Sequence, residues 1–80
     1  MNYVEKAWES YAKVVYPPNI SAVQRKECRR AFFAGAHGLF HTITGFLEPG
    51  AEPTENDLKR MDLVAEELED FARAVKEERA

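Results

Sequence analysis

The densest chemistry in the chain is the run Arg25-Lys26-Glu27-Cys28-Arg29-Arg30, with four cations in six residues. Read as helix, at about 100° per residue, it places Arg25 and Arg29 on the same side as Phe32, Ile43 and Leu47. Two guanidinium groups thus extend an apolar face instead of pointing to the solvent side. Lys26 and Arg30 occupy the adjacent stripe, which continues through Phe33 and His37 to His41 and Thr44. This positive charge falls near a helix N-terminus, where the macrodipole also favours anions. Tyr16 in the preceding turn, with Trp8 or Tyr11 from the helix before it, adds planar faces. Cations beside aromatic rings meet the needs of a nucleotide: charge and hydrogen bonds for phosphate, flat surfaces for bases. The same arginines have an ordinary alternative, pairing with acids of the last segment. Residues 20–48 carry four basic and two acidic side chains, residues 54–80 five and nine.

Other candidate groups are sparser. His37 and His41, spaced i and i+4, share a helix face and can both touch one metal. A zinc site normally takes three or four protein ligands, and no Cys, Asp or Glu nearby on that helix completes the set, so packing or hydrogen bonding is the expected role. No resident metal or cofactor is expected. Cys28, beside Arg29, lacks a base or oxyanion site in sequence, and no nucleophile–base pair or paired catalytic carboxylates are visible, so the chain does not read as an enzyme. The acidic run Glu66-Glu67-Leu68-Glu69-Asp70 reads as a solvated face.

Three helices must position these groups. Tyr16-Pro17-Pro18-Asn19 and Glu48-Pro49-Gly50-Ala51-Glu52-Pro53 break the chain, because proline disfavours helix in the residue before it. Each piece opens with a cap signal: Asn2 with Glu5, Ser21 with Gln24, and Thr54 with Asp57, the last being the weakest on residue type. Apolar steps of three and four run through Val4, Ala7, Trp8, Tyr11 and Val15. They recur through Leu58, Met61, Ala65, Leu68, Ala72 and Val75, with Val64 and Phe71 widening the stripe. Helices are predicted over about 3–15, 22–47 and 55–78 of a single domain, residues 1–80. The expected class is all-α: a long antiparallel helical hairpin, closed by a six-residue connection, with a short N-terminal helix.

Composition sets limits on partners. The 80 residues carry eleven basic and fourteen acidic side chains, a net charge of -3, which argues against a general DNA- or RNA-coating protein. The opening MNYVEKAWESYAK has no uninterrupted apolar stretch, so neither a signal peptide nor a membrane span is expected there. One cysteine fits a reducing, cytoplasmic setting. A hairpin of this size has a small core, and Phe33 and Leu63 lie off the main stripes. Gly35 and Gly38 weaken the middle of the long helix and permit close backbone approach, either inside the hairpin or between subunits. An oligomer is expected.

The order of parts resembles the small helical-hairpin sponge proteins with which bacteriophages sequester the cyclic oligonucleotide signals of CBASS immunity. The likeness lies in the short aromatic helix, the Tyr16-Pro17-Pro18 turn, and the long helix opening with Gln24-Arg25-Lys26 and Arg29-Arg30. The resemblance implies a homo-oligomer, typically a hexamer, whose pockets between protomers enclose a cyclic dinucleotide, or in some members a cyclic trinucleotide. It implies that Tyr11 stacks on a base and that Lys26 contacts phosphate. Arg25, Arg29, Arg30, Tyr16 and Trp8 join the candidate ligand-binding set as neighbours of those two. The Phe32-Phe33-Ala34-Gly35 centre and the long Pro49–Pro53 turn depart from the family pattern.

Three functions from different classes fit this reading. The leading one is a phage-encoded sponge that binds a cyclic nucleotide without cleaving it, in the cytoplasm of an infected bacterium. The second is a small helical inhibitor that binds a host defence or regulatory protein, as anti-CRISPR proteins do. The third is an oligomeric phage accessory protein.

Overall fold

A computed structural model describes residues 1–50 and 52–80; Ala51, inside the expected Glu48–Pro53 connection, lies outside the described residues. The chain forms three α-helices, α1 (Tyr3–Val15), α2 (Ala22–Phe46) and α3 (Glu55–Lys76), with no strand among the described residues. The all-α expectation and the three helix positions therefore hold. No helix among the described residues is long and apolar enough to cross a membrane.

The three helix starts differ in how their orphan N–H groups are met. At Ser21 the Gln24 N–H donates to the hydroxyl at 3.1 Å. At Thr54 a full capping box forms, the Asp57 N–H donating to Thr54 Oγ1 at 3.0 Å and the Thr54 N–H donating to Asp57 Oδ2 at 3.1 Å. The start that looked weakest in sequence is thus the most complete. Asn2 occupies the N-cap position of α1 but makes no side-chain cap, and Glu5 reaches across to α2 instead.

Helix α3 ends in a Schellman arrangement. The Glu78 N–H donates to the Val75 carbonyl at 3.0 Å and the Arg79 N–H to the Ala74 carbonyl at 2.7 Å. Glu78 takes the left-handed conformation there, at φ 59°. Gly50, at φ 140°, occupies a backbone region that residues with a Cβ rarely adopt, which explains a glycine in the second break.

Two compact units divide the chain, residues 1–41 and 42–80. The first is built around Trp8, only 1% exposed, with Ala12 buried beside it. The indole ring centre lies 5.6 Å from Phe32, 5.9 Å from Tyr16 and 6.3 Å from Tyr11. The aromatic spacing of α1 thus becomes a cluster of four rings joined to α2 and to the intervening turn.

The second unit centres on a polar knot. Asp57 is buried; its Oδ1 accepts from the Glu48 N–H at 2.9 Å, and its Oδ2 completes the Thr54 box. Thr54 Oγ1 in turn donates to Glu48, and Arg60 Nη1 donates to the Phe46 carbonyl at 2.9 Å. These bonds tie the first two turns of α3 to the end of α2 and to Glu48 just beyond it. The α3 stripe itself is open: Leu58, Met61, Leu68, Phe71 and Val75 are all exposed.

Candidate functional site

The basic opening of α2 faces α1, and each of its cations has a different environment. Arg25 lies over the Trp8 ring, its Cζ 5.7 Å from the centroid. Arg29 lies over the Phe33 ring at 4.6 Å, and its Nη2 donates to Glu5 Oε2 at 2.7 Å. The expected ordinary partner for these arginines was the acidic last segment; the acid that takes Arg29 belongs to α1 instead. Arg30 makes a loose pair with Glu27 at 3.6 Å, one helical turn back. Lys26 is exposed and forms no ion pair among the described residues.

The aromatic candidates separate into core and surface. Trp8 is consumed by packing and presents almost nothing to a ligand. Tyr11 is 43% exposed, and its inner face meets Phe32 at 5.5 Å and Tyr16 edge-on at 5.8 Å. Tyr16 is half-buried; hydrogen bonding with the Cys28 side chain, burial and a further bond with Tyr11 hold its hydroxyl well above the ordinary phenol range. The phenol stays protonated and serves as a donor at any physiological pH.

Two of the clefts around α1 and the start of α2 are lined by cations. One, of about 430 Å³, is lined by Lys13, Tyr16, Pro17, Pro18, Ile20 and Arg25. It brings two cations and one aromatic ring to a single opening. The other, of about 610 Å³, opens over Arg29, Glu5, Phe33 and the first residues of α1. The structure therefore groups Tyr16 with Arg25, and Arg29 with Phe33. Neither cleft draws on both Tyr11 and Lys26.

Sequence reasoning missed Lys13 and Glu5. Both lie on α1 and become relevant only because α2 packs against it. Their charge was visible, whereas their proximity to Arg25 and Arg29 depends on the packing angle. No group of three or more His, Cys, Asp or Glu side chains suited to hold a metal occurs among the described residues.

Comparison with known proteins finds no matching family model, curated protein or solved structure. The class defined by fold and site is that of a small three-helix protein with a basic, aromatic-lined helix start.

Proposed function

We propose that the protein is a phage-encoded sponge that binds a cyclic di- or trinucleotide in the cytoplasm of an infected bacterium and withholds it without cleaving it. The observation that carries this reading is the cleft that Lys13, Arg25 and Tyr16 line together. Paired cations suit a diester phosphate, and an aromatic ring suits a base. Exposed Tyr11, packed against Tyr16, extends that aromatic surface, and Lys26, exposed and in no ion pair among the described residues, offers a further phosphate contact. Sequestration requires affinity alone, so the site needs no nucleophile or general base.

The active form in this proposal is a homo-oligomer, with a hexamer as the family resemblance implies, built from hairpins of α2 and α3. Two observations favour assembly. The apolar stripe of α3 is exposed. A Cβ built at Gly35 or Gly38 meets nothing within 4 Å among the described residues, which leaves room there for close approach. Each costs about 1 kcal/mol in a helix interior relative to alanine, and close approach by another subunit would explain the expense. Tyr11 and Lys26, which line neither of the two cation-bearing clefts, would then contribute to pockets completed by a neighbouring subunit.

The test is calorimetric titration with a panel of cyclic di- and trinucleotides, followed by heat denaturation and chromatography of the released ligand. The sponge reading expects saturable binding by at least one of them and recovery of that nucleotide unchanged. A panel without binding removes the reading and favours the second one, a helical inhibitor that docks a host protein on the open α3 face. Recovery of a cleaved product replaces both with an enzyme.

A further inference from the structure

We propose that α3 pairs antiparallel with α3 of a second copy of this chain, along the seam Leu58, Met61, Ala65, Leu68, Ala72 and Val75. These positions step by three and four in the manner of a coiled-coil seam, with Leu58, Ala65 and Ala72 at a and the other three at d. All six are exposed. The large side chains on or beside the seam, Leu58, Met61, Leu68, Phe71 and Val75, are 40–61% exposed. Covered by a second copy, they and the stems of the flanking charged residues remove roughly 1,000 Å² from water, the lower limit for a specific interface. The pair should therefore form and separate with concentration instead of being permanent.

The seam complements itself in one direction. With the two-fold axis level with Glu66 and Glu67, Leu58 faces Val75 of the partner copy, Met61 faces Ala72 and Ala65 faces Leu68. Every layer then sets a larger side chain against a smaller one. Parallel pairing puts Ala65 on Ala65 and Ala72 on Ala72, leaving two thin layers, and lays the helix dipoles side by side in the same sense. Along one edge of the antiparallel pair Val64 faces Phe71, which widens the apolar strip. Along the other edge Glu55 faces Lys76 with opposite charge, and Asp62 faces Glu69 with like charge, which limits the affinity. The inference deepens the assembly named in the sponge reading and rests on that reading for the larger homo-oligomer alone. The pair itself is judged without a nucleotide.

The experiment is sedimentation of the full chain over a wide concentration range, with helix content of each variant checked by circular dichroism. The parent should self-associate as concentration rises. Leu68→Glu buries two charges in the seam and should weaken association at least about a hundredfold. Leu63→Glu, at a position equally exposed at 55% but off the seam, should associate like the parent. Orientation is read from the like-charged edge. Asp62→Lys and Glu69→Lys should each tighten the pair several-fold by turning both Asp62–Glu69 contacts attractive, and the double variant should lose that gain because lysine then faces lysine. In a parallel pair these positions do not face each other, and the two effects add. A parent that stays monomeric overturns the proposal, as do equal losses in Leu68→Glu and Leu63→Glu, or a gain retained in the double variant. Should Leu68→Glu unfold, the three charge variants, all at exposed positions, decide by themselves. Undiminished assembly in a folded Leu68→Glu removes this seam and leaves the larger homo-oligomer standing, whereas failure of nucleotide binding leaves the pair standing.

Discussion

Arg29 and Glu5, 24 positions apart in sequence, meet at 2.7 Å and join α2 to α1. Both side chains are substantially solvent-exposed, at 49% and 32%. Water screens the pair, so Glu5→Gln should cost less than about 1 kcal/mol in urea denaturation. The same substitution releases Arg29 for an incoming anion. Under the sponge reading, cyclic-dinucleotide affinity should rise and its salt dependence should steepen. Unchanged affinity would leave Arg29 a purely structural partner.

Tyr11 and Lys26 should divide the binding energy by mechanism. Tyr11→Ala is expected to cost roughly 1–3 kcal/mol through lost stacking, while Tyr11→Phe should be nearly silent. Lys26→Ala should cost about 1.5–3 kcal/mol, about tenfold to a hundredfold in affinity, and added salt should narrow that difference. Calorimetry at two ionic strengths reads both effects. Parent-like binding in both Tyr11→Ala and Lys26→Ala would remove these two residues from the binding surface and leave the Lys13, Tyr16 and Arg25 cleft to carry it alone.

Trp8 is the large buried side chain of the first unit. Trp8→Ala should destabilise it by about 3–5 kcal/mol, through lost transfer energy and the cavity left among Tyr11, Tyr16 and Phe32. Urea titration followed by circular dichroism should show part of the helix signal lost at lower denaturant. A variant as stable as the parent would mean that the ring cluster is not the organising core.

Asp57 makes the second unit sensitive to acid. Backbone N–H donation from Glu48 and then Thr54 holds its carboxyl below the ordinary value of 3.8, against an opposing effect of burial. A carboxylate whose folded pKa is depressed contributes stability that is fully present above the unfolded value and is lost as pH falls through the folded one. Thermal melts should therefore show a midpoint steady above about pH 5 and falling below about pH 4, with the acid dependence reduced in Asp57→Asn. An equal fall in the variant would assign the acid sensitivity elsewhere. Thr54→Ala, which removes the cap hydroxyl, should cost about 1 kcal/mol at neutral pH.

Glu78 holds a left-handed conformation at the end of α3, which a residue with a Cβ adopts at a cost of about 1–2 kcal/mol. Glu78→Gly should therefore stabilise the end of α3, seen as slower amide exchange at Glu78 and Arg79. Faster exchange there would show that the glutamate side chain matters more than the backbone strain.

The sequence by itself determined the three helices and the two breaks between them, because these follow from interactions within three or four residues. Proline at positions 17, 18, 49 and 53, the Ser21 and Thr54 starts, and the three-four apolar steps act locally and need no tertiary partner. The composition of the candidate site was legible for the same reason, as a basic helix start beside aromatic residues. Which of those groups stay available was not. Trp8 and Tyr11 lie three apart on one helix, yet packing against Phe32 and Tyr16 buries the first and leaves the second half open. Arg29 had acids available in α1 and α3, and the approach of α1 selected Glu5. Thr54 with Asp57 was the least convincing start by residue type, but the Glu48 N–H, nine positions earlier, turned that aspartate into a double acceptor. Such outcomes depend on which side chains meet across distant turns of chain, and a charge or a ring carries the same local signature whichever partner it finds.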